Sequence, residues 1–476
     1  MDTRVTHVAV EVRSDGIDDA ALGELREGFR GELITPANAG YEEARLVWNA
    51  SIDRRPAIVA RCTGTADVVR AVRFATTRGL EIAVRGGGHS VAGHGTVDGG
   101  IVIDLSSMGG VRVDPEARLA WVQGGAVLGQ LDHEAALHGL ATTAGTVSHT
   151  GVGGLTTGGG YGFLARSLGL ACDNVVSAEV VTADGEVLIA SETRNEDLLW
   201  GIRGGGGNFG IVTGFEIRLH PGPSIVSTGD LFFDAADGLA PLRAFVDFAA
   251  AMPPEMTISA GAVSVKPEWE MAELEIGAQM LVISWVYMGP QADGRRIAEP
   301  LYGAGSPRVE MGEEMSYVSL QSLGDTSQRH GVRRYWKGSF ATSLSDAALE
   351  AFLARGTRPG DPAPMWNGQL VSLGGAISRI GEDDTAYSGR DAAFDFLSLA
   401  SWEDPAEDEV RLAGARHYWD SMAPFTSPRA YVNSLEDEGT ARVQDAYGAS
   451  KYERLVALKR RYDPHNVFHL NGNITP

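Results

Sequence analysis

Cysteine is nearly missing from this chain: Cys62 and Cys172 are the two thiols among 476 residues. So few exclude a disulfide framework and fit a reducing compartment, with both read as packed thiols. Basic charge is also scarce. Against 62 Asp and Glu stand 40 Lys and Arg, a formal net charge of -22, which repels phosphate backbones and anionic headgroups and excludes sequence-independent binding to nucleic acid or membranes. No apolar run approaches a membrane span, and the opening MDTRVTHVAVEVRSDG is too polar for a secretory leader. These absences together point to a cytoplasmic protein. No internal repeat or low-complexity linker is present, and the sequence carries no signal of oligomeric state. At 43% hydrophobic, the chain has enough apolar material for two domains of ordinary size.

Glycine is what the chain has in excess, 61 residues, concentrated before position 225. From Pro56 the pattern reads strand AIVARC, a helix capped at Thr65 and closed by Gly79, then strand EIAVR entering the loop VRGGGHSVAGHG. Strands VRVDP and RLAWVQGG, a helix ending at Gly139, and a hairpin turning at Asp184-Gly185 follow. Beyond Pro221 the glycines thin, and alternating runs such as QMLVISWVYMG and GQLVSLGGAISR predict long antiparallel strands. The expected division is 1–222, 223–447 and a C-terminal segment 448–476, in an α+β fold.

Three segments concentrate the glycines: RGGGHS, GVGGLTTGGGYG and RGGGGNFG. Such loops converge backbone N–H groups on an anion, commonly a diphosphate. A dinucleotide fold would need G-x-G-x-x-G opening a helix, with an acidic residue about 20 positions on. Here His89 and Ser90 follow the glycines and no helical pattern starts. Turns and close packing alone explain one such segment better than three, and one ligand touched by all three must be long. No set of metal ligands stands out.

In order and spacing, RGGGHS, GGLTTGGGYGFLARSLGLACDNV, RGGGGNFGIVT and YDPHNVFHLNGNI resemble the berberine bridge enzyme-like, or 6-hydroxy-D-nicotine oxidase-like, branch of the vanillyl-alcohol oxidase flavoproteins. The resemblance implies a two-lobed PCMH-type FAD-binding domain and a substrate domain whose antiparallel sheet, backed by helices, roofs the flavin. It also implies that the tail returns to the flavin. Arg85, Gly86, Gly87, Gly88 and Ser90 would form the diphosphate cradle, and His89 would bond the flavin 8α-methyl. The second segment would add Gly145, Thr146, Gly151, Gly153, Gly154, Gly159 and Gly160, with Tyr161 packing on FAD. Asp173, Asn174 and Val175 follow, then Gly210, Ile211 and Val212 from the third segment, and Asn471 and Asn473 from the tail.

The departures from the family pattern are informative. Val147 stands where doubly linked members have cysteine, which implies a single link. Thr150 occupies a position that is Val in oxidases and bulkier in oxygen-inert dehydrogenases, so O2 is the implied acceptor. The family's Tyr-x-Asn-Tyr is Tyr431-Val432-Asn433-Ser434 here, which weakens a sugar-oxidase reading and leaves Ser434 facing the substrate. The family's P-H-R is Ser388-Gly389-Arg390, and Arg390 is read as structural.

Hydride transfer needs a group to take the substrate proton. Three candidates arise. Tyr335 and Lys337 sit two apart in RRYWKG, and a cation beside a phenol lowers its pKa; Lys337 as an ion-pair partner is the competing reading. His149 lies in the second glycine segment. A water held by Asn367 and Gln369, on one face of MWNGQLVSLGG, is the third. The expected activity is a monocovalent FAD oxidase of a small organic alcohol or amine, with O2 as acceptor and H2O2 as product. The rivals are a flavin dehydrogenase or oxidative cyclase of secondary metabolism, and a flavin-binding protein without catalysis.

Overall fold

Ile58–Arg61, the helix Thr65–Arg78 and Ile82–Arg85 form the first α/β unit. Gly79 closes the helix in the left-handed region, at φ 65°, where glycine has no steric penalty. Thr65 proves to be the first helical residue and not the cap: its hydroxyl donates to Glu179, while Asp67 accepts from the Thr63 N–H at 2.9 Å. In the computed structural model, residues 17–267, 271–358, 360–436 and 438–476 are described; the polar opening segment 1–16 lies outside them.

Both Ile58–Arg61 and Ile82–Arg85 pair in parallel with Ile101–Asp104, and Glu32–Ile34 adds an antiparallel edge. This four-stranded sheet is the first lobe. The second lobe is an antiparallel five-stranded sheet in the order Val111–Asp114, Leu119–Gln123, Ile211–Arg218, Val175–Val181, Val187–Ser191. From Ile225 the chain builds an antiparallel eight-stranded sheet, whose main strands run in the order Ile225–Asp234, Gln279–Tyr287, Met256–Ser264, Asn367–Ser372, Phe394–Trp402, Arg333–Ala341. Helices Leu239–Ala251, Asp346–Ala354 and Asp408–Met422 cover one face of it, burying Leu231, Ile283, Ala260, Leu370 and Phe396 among Phe245, Phe352 and Tyr418. The expected α+β architecture is present. Among the described residues no helix is long and apolar enough to cross a membrane.

The C-terminal segment rejoins the glycine-rich half earlier than the expected 448. Ala430, Leu435, Val443 and Tyr447 already pack in the core of the second lobe, with Val122, Phe209 and Phe215. Two buried ion pairs fix this arrangement. Arg390 grips Asp173 with bonds of 2.8 and 2.6 Å, joining substrate domain to second lobe. Lys459, fully buried, donates to Asp463 at 2.7 Å and to the carbonyls of Asn208 and Phe468 at 2.9 Å each, pinning the tail to the third glycine segment. Lys459→Met strands the Asp463 carboxylate in the core and should cost about 3–5 kcal/mol. A thermal midpoint equal to that of the unaltered protein would show that the pair does not hold the tail.

Candidate active site

Gly87 and Gly151 bring the first two glycine segments together back to back. A Cβ on Gly87 would lie 2.3 Å from the Gly151 nitrogen, and one on Gly151 2.3 Å from the Gly87 nitrogen. Any side chain at either would separate the loops. Because the loops touch, the residues that follow meet: His89 Nε2 is 2.6 Å from His149 Nδ1, and His89 Nδ1 is 3.4 Å from Thr150 Oγ1. Trp48 stacks on His89 at 4.8 Å between centroids, and Arg334 lies over Trp48.

His330 completes a trio of imidazoles whose nitrogens lie within 4.8 Å of one another. Such a cluster invites a metal reading. The 2.6 Å contact argues against it, because nitrogens bound at about 2.05 Å to a tetrahedral zinc stand roughly 3.3 Å apart; His89 and His149 are hydrogen-bonded. Burial, then the charges of His149, His330 and Arg334, push the His89 pKa down to about 2, so this imidazole stays neutral.

The uncovered face of the large sheet roofs this site, and strand register sorts its residues into rows. Trp336, Leu399 and Asn367 form the row nearest His89, where Trp336 meets Trp48 edge to face at 5.3 Å. Next come Gly338, Leu397, Gln369 and Gly261, then Phe340, Asp395, Val371 and Ser259. Asp395 is fully buried and its Oδ2 accepts from the Tyr161 hydroxyl at 2.6 Å. Burial raises the Asp395 pKa to about 7. Ser434 reaches the middle row: a Cβ on Gly338 would lie 3.2 Å from the Ser434 Cβ.

Residues 56–191 match the FAD binding domain family and residues 430–475 the berberine and berberine like family. The (R)-6-hydroxynicotine oxidase of Paenarthrobacter nicotinovorans is 30% identical over 94% of this chain and 97% of its own. The crystal structure of 6-hydroxy-D-nicotine oxidase from Arthrobacter nicotinovorans superposes with a TM-score of 0.81 at 29% identity, covering 94% of this chain and 98% of that one. For glucooligosaccharide oxidase from Acremonium strictum the values are 0.84, 26%, 96% and 99%. This chain belongs to the berberine bridge enzyme-like family of FAD-linked oxidases. FAD is its cofactor.

The residues present fit that cofactor. Among the described residues, the buried amide oxygens of Asn471 and Asn473 and the Nε2 of His149 have no hydrogen-bond partner, which is costly unless a ligand supplies one. Asn471 and Asn473 flank Gly472, whose carbonyl is held by Asn208 of the third glycine segment at 3.1 Å. Several other residues expected at the cofactor have polar groups bonded within the protein or are closely packed glycines. The Arg85 guanidinium is spent on Asp104 and the Leu46 carbonyl. Asp173 is held by Arg390, the Asn174 side chain bonds the Leu168 and Leu170 carbonyls and His220, and the Val175 carbonyl accepts from Arg203. Ser90 accepts from the His94 N–H. Gly153, Gly160 and Gly210 are packing glycines, each tight against Gly124, Leu155 or Val180, as Gly145 is against Leu155. Cys172 is a buried thiol, as expected.

The Tyr335–Lys337 pair requires correction. Both do share a strand face, but it is the face turned to helix Asp408–Met422. Tyr335 Oη accepts from Arg416 at 3.4 Å, while Lys337 pairs with Glu438 at 2.5 Å and lies over Trp419. Burial pushes the Tyr335 pKa up to about 12, the reverse of the shift a phenolate needs. The period-two pattern that put them together also put Arg334 and Trp336 on the flavin side. Register places Asn367 opposite Leu399 and Gln369 opposite Leu397, in the rows of Trp336 and Gly338, while the Asn367 Oδ1 lies 3.4 Å from Arg355 at the end of helix Asp346–Ala354. Tyr161, expected only to pack on FAD, is tied to Asp395.

Trp48, His330, Arg334 and Asp395 went unnoticed in the sequence. A lone carboxylate inside the apolar strand FDFLSLASW was the one available signal. Tyr335→Phe should leave the flavin reduction rate within about twofold, whereas Tyr161→Phe should lower it by the ~10²–10⁴-fold of a lost proton acceptor. Stopped-flow reduction rates in the opposite order would restore Tyr335.

Proposed function

We propose that this enzyme holds FAD covalently through His89 and oxidises a small organic alcohol or amine, with O2 taking the electrons and leaving as H2O2. The observation that carries this reading is the arrangement of one roof face. Its two ends are the Trp336 row beside Trp48 and His89 and the Phe340 row, where Tyr161 bonds Asp395. They are separated by four residues of strand, roughly 13 Å at ~3.3 Å per residue. Between them lies the row Gly338, Leu397, Gln369 and Gly261, with Ser434 beside Gly338, and this row is where the substrate is taken to bind. None of these side chains is charged, which suits a neutral molecule held by the Gln369 amide. Val147 in place of cysteine supports one flavin link, and the small Thr150 beside His89 supports access for O2.

When bound, FAD supplies the hydride acceptor and the route to oxygen. The protein must take the proton. Burial and Asp395 push the Tyr161 pKa up, so Tyr161 is a neutral relay and not a phenolate: it accepts the substrate O–H or N–H proton as it passes its own to Asp395, and the Asp395 carboxylate ends as the neutral acid. A carboxyl group with a pKa near 7 is about half ionised at neutral pH and fully so above about pH 8.

Two experiments test the reading. The yellow colour should stay with the polypeptide after acid or SDS denaturation, and His89→Ala should release free FAD; a cofactor that washes off the unaltered protein refutes the covalent link. With a substrate found by a peroxide screen, flavin reduction should rise with pH through about 7 and level off. Asp395→Asn should abolish that step and slow reduction by ~10²–10⁴-fold. Reduction without oxygen consumption would mark a dehydrogenase, and no bleaching by any candidate a flavin-binding protein.

The same carboxyl has a signature in stability. Its folded-state pKa is raised above the ordinary 3.8, so its neutral form is favoured in the fold. Stability from this group is fully present below about pH 4 and lost as pH rises through about 7. Asp395→Asn, neutral throughout, should therefore gain in thermal midpoint over the unaltered protein between pH 5 and pH 9. A constant difference over that range would place the Asp395 titration elsewhere.

A further inference from the structure

We propose that His149 is the positioning residue for covalent attachment of the flavin: its Nδ1 takes the Nε2 proton of His89 and leaves His89 Nδ1 as the nitrogen that bonds the 8α carbon. The inference rests on the covalent reading above and deepens it. His89 Nε2 has one short partner, His149 Nδ1 at 2.6 Å, whereas Nδ1 faces only the Thr150 hydroxyl at 3.4 Å. A neutral imidazole carries one proton and one lone pair, and bonding carbon requires the lone pair. With the proton directed to His149, the lone pair lies on Nδ1.

The ring of His149 is suited to this task and engaged in no other. A structural histidine commonly uses both nitrogens, yet among the described residues His149 Nε2 is buried without a partner. The His149 backbone is held on both sides. Its carbonyl lies against Gly87, where an added Cβ would approach to 3.2 Å. The preceding Ser148 bonds Asp325 through both its N–H, at 2.9 Å, and its hydroxyl, at 2.6 Å. Trp48 stacked on His89 fixes the plane of the other ring. The two imidazoles therefore meet in one geometry, across 60 residues of sequence.

Attachment forms one bond, His89 Nδ1 to the 8α carbon, and breaks one methyl C–H and one imidazole N–H. Two protons leave and two electrons enter the isoalloxazine. O2 removes them with two protons as H2O2, as in turnover. His149 receives the imidazole proton, and the exposed His330, at 5.4 Å between ring centroids, lies on the way to solvent.

The test uses the full chain, produced under riboflavin limitation, mixed with FAD in air and followed by fluorescence of the denatured band and by intact mass. His149→Ala should bind FAD and turn yellow but attach it roughly 10²-fold more slowly, the low end of what losing a positioned proton acceptor costs. His149→Asn, whose amide oxygen accepts the hydrogen bond that orients His89 but cannot take its proton, should keep the bond on Nδ1 and attach FAD faster than His149→Ala, though short of the unaltered rate. Attachment at the unaltered rate in His149→Ala, or an Asn variant as slow as the Ala variant, overturns the proposal. Should the Ala variant fail to retain FAD, the flavinyl peptide of the unaltered protein decides: a bond through Nε2 overturns the proposal and a bond through Nδ1 supports it. If the unaltered protein forms no bond at all, the covalent reading falls with this one; if it forms the bond and His149→Ala forms it equally well, only this one falls.

Discussion

Everything at the catalytic end of this molecule depends on the contact between Gly87 and Gly151. Two strand-ending loops approach until their backbones touch, which only residues without side chains allow. The consequence is chemical and not merely steric. His89 and His149 are two residues beyond Gly87 and two before Gly151, so the same approach that closes the cleft puts their rings within 2.6 Å. A methyl group at either glycine would push the loops apart by an ångström or more and break that hydrogen bond, while leaving every catalytic side chain present in the sequence.

A contact made by two loops needs a rigid frame, and buried ion pairs elsewhere in the fold supply it. Asp173–Arg390 ties the second lobe to the roof, and Lys459 ties the tail to the third glycine segment. Neither pair is an efficient source of stability, because desolvating both partners offsets most of their attraction. Their value is geometric. An ion pair with carbonyl and carboxylate partners on three segments, as Lys459 has, tolerates one arrangement of those segments, whereas an apolar contact of equal area tolerates many.

What the sequence disclosed, and what it withheld, follows from the range of each signal. Glycine loops, turn residues and period-two alternation are local, so the two lobes, the antiparallel roof and the position of His89 were legible. Pairing between distant segments was not. RRYWKG alone shows that Tyr335 and Lys337 share a face; it does not show which face meets the helices, because both faces of this strand carry large and charged residues. The face of Asn367 and Gln369 was legible because their strand alternates polar with Gly and Leu, which marks the buried side. The return of the chain from Ala430 was missed since its apolar residues read equally well against either domain.

The roof divides two opposed electrostatic demands by distance. Around His89, burial first and then the charges of His149, His330 and Arg334 keep the imidazole neutral, with a pKa pushed down to about 2. Around Asp395, burial, only partly offset by the hydrogen bond from Tyr161, raises the pKa to about 7, so that the carboxyl is half ionised near neutral pH. Both effects are desolvation acting on groups of opposite charge type, lowering the base and raising the acid. One low-dielectric cleft thus produces both, provided no cation reaches the carboxylate. Lys337 lies on the adjacent strand, opposite Ser398, and the face it occupies holds it on Glu438. On the flavin side of that sheet, a Lys337 ammonium would stabilise the Asp395 carboxylate, lower its pKa and weaken it as a base. The register that defeated the Tyr335–Lys337 reading is therefore the register that keeps this ammonium away from Asp395.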